Sequence, residues 1–167
     1  KGRKLQSKRN YVNRFKKNHH WSYKSLTGRP DLVKECKQML EKWMEEKGED
    51  KDLSLRFDHY VTRMMLDNFE YLELRGGVIC IEGQMIAFSV GSKLTEDTLD
   101  VHVEKAMSDD VPEAYAAINQ QFVEHEASEF TYINREEDVG LKSLRKAKLS
   151  YRPDILLEKY FLRLKSN

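Results

Sequence analysis

Apolar positions recur along this chain in two rhythms. Leu5, Val12 and Phe15 predict a short helix over Leu5–Lys17, with Tyr11 at its edge and basic residues elsewhere. Trp21, Tyr23 and Leu26 read as a brief strand that ends at Thr27-Gly28-Arg29-Pro30. From Leu32 through Val33, Cys36, Met39, Leu40, Trp43 and Met44 the spacing is helical throughout, with Asp31 as its cap and Gly48 as its stop. A second helix is expected from Leu55 to Tyr71, broken by Gly76-Gly77. Residues 78–81 and 85–90 are strands joined across Glu82-Gly83-Gln84, and Leu99, Val101 and Val103 alternate with polar residues in a third. A helix over Val111–Glu126 opens with Asp110 and Pro112. A short strand at Phe130–Ile133, a helix at Leu141–Lys148 and a last strand at Ile155–Leu164 complete the order. Strands with apolar residues on more than one face predict an α/β (α+β) fold, a mixed sheet covered by helices on both sides.

The 167 residues are 40% hydrophobic, which supplies one ordinary core. Basic and acidic residues nearly balance, 29 against 28, so bulk affinity for polyanions is not expected. No apolar run approaches the roughly 20 residues of a membrane span. Cys36 and Cys80 sit in apolar patterns without CxxC spacing, which points to buried thiols in a reducing, cytoplasmic setting. The balance conceals an asymmetry. Residues 1–30 hold ten basic side chains and no acidic one, leaving a net −9 on the remainder. Residues 1–20 therefore read as a basic linker helix from a preceding domain, and 21–167 as a single domain. Lys8, Arg9, Asn10 and Arg14, interleaved with Tyr11 and Phe15, are also a candidate nucleic-acid contact.

Two further groups carry candidate chemistry. Asp100, His102 and Glu104 alternate on one strand, so period-2 spacing places all three on one face, where His102 or Glu104 would do acid–base or orienting work. Steps of about 7 Å along a strand keep the three from sharing one ion, and no metal is expected. The second group follows the short strand: Asn134 at its end, then Arg135, Arg145, Lys146, Lys148 and Arg152, cations that together suit a phosphate chain or a tRNA end. The other reading is a solvated helix paired to Glu136, Glu137 and Asp138.

The element order resembles the N-acetyltransferase-like (GNAT) acyltransferase fold. More narrowly, residues 8–15, His102-Val103-Glu104-Lys105-Ala106, Ile118-Asn119-Gln120-Gln121-Phe122 and Ile133–Pro153 resemble the phosphatidylglycerol lysyltransferase C-terminal domain-like family. That resemblance implies a tandem protein with a preceding domain of the same fold, and aminoacyl-tRNA as a partner. Acetyl-coenzyme A enzymes of this fold bind pyrophosphate on a glycine-bearing loop, and here the equivalent stretch is Ala106-Met107-Ser108-Asp109-Asp110-Val111-Pro112. It lacks glycine, Pro112 removes an amide, and two carboxylates occupy the anion site, so acetyl-coenzyme A is disfavoured and no cofactor is expected. The expected activity is transfer of an amino acid from charged tRNA to an amine or hydroxyl. Catalytic roles are expected for His102, Glu104 and Asn134, and substrate binding for Arg135, Arg145, Lys146, Lys148 and Arg152. The alternatives are a non-catalytic scaffold half of a tandem protein, or an acetyl-coenzyme A-dependent N-acetyltransferase.

Overall fold

The computed structural model describes residues 5–47, 53–160 and 162–164. Its elements are α1 Gln6–Asn18, β1 Trp21–Ser25, α2 Pro30–Lys47, α3 Leu53–Asp67, β2 Arg75–Ile81, β3 Gln84–Lys93, β4 Thr98–Ala106, α4 Ala114–Glu126, β5 Tyr132–Asn134 and α5 Lys142–Leu149. The strands lie in sequence order, antiparallel from β1 to β4, and β5 joins β4 in parallel after the α4 crossover.

Helices cover both faces, as the two-sided apolar strands predict. On one face, Leu32, Cys36, Met39 and Leu40 of α2 and Leu66 of α3 pack on Val78, Cys80, Phe88, Val90 and Val103. On the other, Phe15 of α1 and Ala114, Ala117 and Ile118 of α4 pack on Ile79, Ala87 and Ala106, where small side chains bring the helix close to the sheet. Each fully buried Phe, Leu or Ile contributes roughly 1.5–3 kcal/mol. Both cysteines are buried and free, and burial raises their thiol pKa values.

Several expectations are corrected. The residues at Ile155–Leu164 form no strand over the part described, and Ile155, Leu156, Leu157, Tyr160, Leu162 and Leu164 are all exposed. A strand needs a neighbour for its backbone groups, and none of the described residues pairs with this stretch. Gly76-Gly77 does not end a helix: α3 stops at Asp67, and both glycines lie inside β2. A Cβ on Gly77 would stand 1.8 Å from the hydroxyl oxygen of Tyr23, so the glycine makes room for that ring. Pro30, not Asp31, opens α2; Asp31 lies in its first turn, paired with Arg29. Asp110 and Pro112 lie in turns ahead of α4. The expected stop at Gly48 lies outside the described residues.

The register of β4 overturns the placement of three polar residues on one face. Val90 pairs with Val103 and Gly91 with Val101, so His102 is an extra residue in β4, a β-bulge. A bulge reverses the alternation. Leu99 and Val101 pack with Phe122 of α4, whereas Val103 joins the α2 face. Asp100, opposite Ser92, shares the α2 side with His102, and Glu104 turns to α4.

Candidate active site between the parting strands

β5 pairs only with Thr98, Leu99 and Asp100, the first three residues of a nine-residue β4. Beyond Asp100 the β5-side edge of β4 is open. Two polar bridges cross the opening, because consecutive residues leaving β5 go to opposite faces. Arg135 pairs with Glu104 and Glu136 with His102.

His102 Nδ1 lies 2.8 Å from Glu136 Oε1 and 4.0 Å from Asp100 Oδ2, while Nε2 lies 2.8 Å from Ser92 Oγ. The hydrogen bond to Glu136 raises the imidazole pKa above its ordinary range; burial opposes this. Burial, then the neighbouring Glu136, raises the Asp100 carboxyl, whose Oδ1 is enclosed with no hydrogen-bond partner among the described residues. One ligand atom each from Asp100, His102 and Glu136 lies within 4.8 Å of the others, so this trio, rather than the strand residues alone, is where a small cation would fit.

On the α4 side, Glu104 accepts from Asn119 Nδ2 at 2.8 Å and from Arg135. The Arg135 guanidinium stacks on the Tyr151 ring at 4.5 Å, and Lys8 Nζ stands over the same ring at 4.2 Å. Lys148 Nζ donates to the backbone carbonyls of Arg135 and Glu137. Burial, then the Arg135 charge, lowers the pKa of both Lys8 and Lys148. Three cations thus gather around one carboxylate.

The remaining expected residues are dispersed. Asn134 sits in β5 opposite Asp100, and its side-chain oxygen accepts the Glu136 N–H, holding that carboxylate's loop. Arg145 is exposed and engages Asp138, whose carboxyl it holds at about 2. Lys146 and Arg152 are exposed. Arg9 donates to Gln6, Asn10 accepts from Gln6, and Arg14 ties α1 to Glu113 beside α4. From the basic opening, Lys8 reaches the cationic group around Tyr151. Glu136 and Ser92 were not singled out by the sequence. Glu136 was hidden in a charge run, and nothing in the sequence marks Ser92.

No curated protein matches the sequence. Among solved structures, a conserved protein of unknown function from Bacteroides thetaiotaomicron VPI-5482 is 38% identical with a TM-score of 0.87. The C-terminal DUF2156 domain of a protein assigned as a lysylphosphatidylglycerol synthetase, from Agrobacterium fabrum, is 14% identical with a TM-score of 0.66. The match covers 93% and 92% of this chain but 52% and 53% of theirs, so the chain spans about half the length of these two relatives. A ribosomal-protein-alanine N-acetyltransferase from Brucella melitensis biovar Abortus 2308, 12% identical with a TM-score of 0.57 over 87% of this chain and 99% of its own, shares the fold. Among the described residues no helix is long and apolar enough to cross a membrane. With its acyltransferase fold and a family match over residues 1–163, the chain belongs to the phosphatidylglycerol lysyltransferase, C-terminal, family.

Proposed function

We propose that this chain is an acyl transferase that moves an amino acid from charged tRNA to an amine or hydroxyl acceptor. The observation that carries this reading is the opening between β4 and β5, bridged by His102–Glu136 on one face and Glu104–Arg135 on the other, with Lys8 and Lys148 beside Arg135. The ester on charged tRNA is already activated, so the protein must hold an anion, orient an amine or hydroxyl and move one proton. His102 moves the proton. Glu104 holds Arg135, and Asn134 holds the turn that presents Glu136. Arg135, Lys8 and Lys148 take a phosphate of the acceptor end or of a lipid headgroup; Lys146 and Arg152 add exposed charge, and Arg145 is engaged by Asp138.

Acetyl-coenzyme A fits this reading poorly. The amides of Ser108, Val111 and Ala114 already donate to the carbonyls of Ala106, Met107 and Val111, and Asp109 and Asp110 stand in the same turns. An enzyme that draws on charged tRNA works in the cytoplasm, and the relatives' greater length is consistent with a preceding domain of the same fold in the whole protein.

Filter binding to charged and uncharged tRNA across a salt series, with coenzyme A as competitor, tests the proposal. Charged tRNA is expected to bind more tightly, to weaken steeply with salt and to ignore coenzyme A. Lys148→Met should flatten the salt slope by about 1, and Arg145→Ala should change it less. Weak binding of both tRNA forms, unaffected by salt, contradicts the proposal.

A further inference from the structure

His102 is held at both ring nitrogens. Ser92 Oγ and Glu136 Oε1 each lie 2.8 Å away, at Nε2 and Nδ1 respectively. Hydroxyl, imidazole and carboxylate joined in this order are the parts of a nucleophile, its base and the group that orients the base. His102, two residues on from Asp100, lies on the face of Asp100 and Ser92, and the bulge at His102 turns Glu104 to the other face; Ser92, directly opposite Asp100, remains half-buried rather than enclosed.

We propose that Ser92 is an acyl-accepting nucleophile, with His102 as its general base and Glu136 as the residue that positions His102. This deepens the acyl-transfer reading and rests on it for the substrate class, activated carboxylic esters. In the first half, Ser92 Oγ bonds to the ester carbonyl carbon and its proton passes to His102 Nε2. The ester C–O bond then breaks, and the leaving alkoxide takes that proton. In the second half, the acceptor amine or hydroxyl attacks the seryl ester, its proton passes to Nε2, and Ser92 Oγ leaves and is reprotonated. Beyond Asp100, β4 has no pairing with β5 among the described residues, and the unpaired backbone of a strand edge is a source of the N–H donors that a developing oxyanion requires.

Two carboxylates face Nδ1, Asp100 from the same strand and Glu136 from the loop after β5, and Lys148 and Lys159 act on Asp100 at longer range. The imidazole must lose its proton before it can serve as base. Reaction at Ser92 should therefore rise with pH through a midpoint above the ordinary histidine value of about 6.5, and Glu136→Gln should move that midpoint down.

A fluorophosphonate probe with mass-spectrometric mapping of the adduct tests this without tRNA. A single adduct on the peptide carrying Ser92 is expected, absent in Ser92→Ala and formed at least tenfold more slowly in His102→Asn, each variant checked by its thermal melt. Label elsewhere, no label, or an unchanged rate in His102→Asn would overturn the proposal. So would labelling that a chelator abolishes, which would instead make Asp100, His102 and Glu136 the ligands of a metal ion. The two readings fail separately: labelling without tRNA binding leaves the nucleophile and removes the tRNA substrate, and tRNA-dependent transfer by Ser92→Ala leaves direct transfer and removes the nucleophile.

Discussion

Replacing Glu104 by alanine is expected to lower the unfolding free energy by about 2–3 kcal/mol, read as a shift in the urea midpoint at pH 7. Glu104 is 14% exposed and Arg135 23% exposed, so the pair is only partly screened by solvent. Both carboxylate oxygens are occupied, one by Arg135 and the other by Asn119. Without Glu104, the Arg135 guanidinium keeps Lys8 and Lys148 as neighbours and loses the carboxylate that offsets all three. Loss of a full buried pair costs about 3–5 kcal/mol, and partial exposure discounts that. The comparison that isolates the pair is Arg135→Leu. In a Glu104→Gln background it should cost at least about 1 kcal/mol less than in the wild type. A Glu104→Ala shift below about 0.5 kcal/mol would mean that water screens the cluster and that it is no organised anion site.

The second large effect concerns the bulge. Gly91 is buried in β3, and a Cβ there would stand 2.3 Å from the carbonyl oxygen of Asp100 and 3.1 Å from Leu99 Cδ2. The nearest obstacle is backbone of the neighbouring strand, which cannot rotate away as a side chain would. Gly91→Ala therefore has to push β3 and β4 apart where Gly91 pairs with Val101, one residue before His102. A cost of about 2–4 kcal/mol is expected, seen as a fall in Tm of about 4–16 °C for a domain of this size. The same displacement should slow fluorophosphonate reaction at Ser92, since Ser92 follows Gly91 directly. A variant that melts like the wild type would show that the strands tolerate separation there and that the bulge does not depend on close approach.

These two sites mark where the sequence was legible and where it was not. The α2 helix could be read because seven buried residues keep helical spacing, and burial on one stripe is a local property. The hairpin and the α4 crossover followed from turn residues and apolar runs in the same way. Register is different. Whether β4 carries an extra residue depends on its partner strand, so alternation alone put Asp100 and Glu104 on the same face, and His102 separates them. The apolar residues from Ile155 onward have strand composition, but a strand exists only where a neighbour pairs with it. The site was legible in part: His102 bridges the opening on one face and Glu104, Arg135 and Lys148 gather on the other, while Arg145 turns to Asp138 and Asn134 acts through the Glu136 amide. Lys8 joins Arg135 only through the fold, some 127 positions apart in sequence.

Acyl transfer itself is tested most directly by following a radiolabelled amino acid from charged tRNA to phosphatidylglycerol in micelles, or to a simple amine, with wild-type chain and with His102→Asn. Transfer above the uncatalysed background is predicted for the wild type, with a loss of about 10²–10⁴-fold in His102→Asn, the usual weight of a general acid–base group. Equal rates for the wild type and His102→Asn, or no transfer above background by either, would contradict the assignment of this half as the catalytic one.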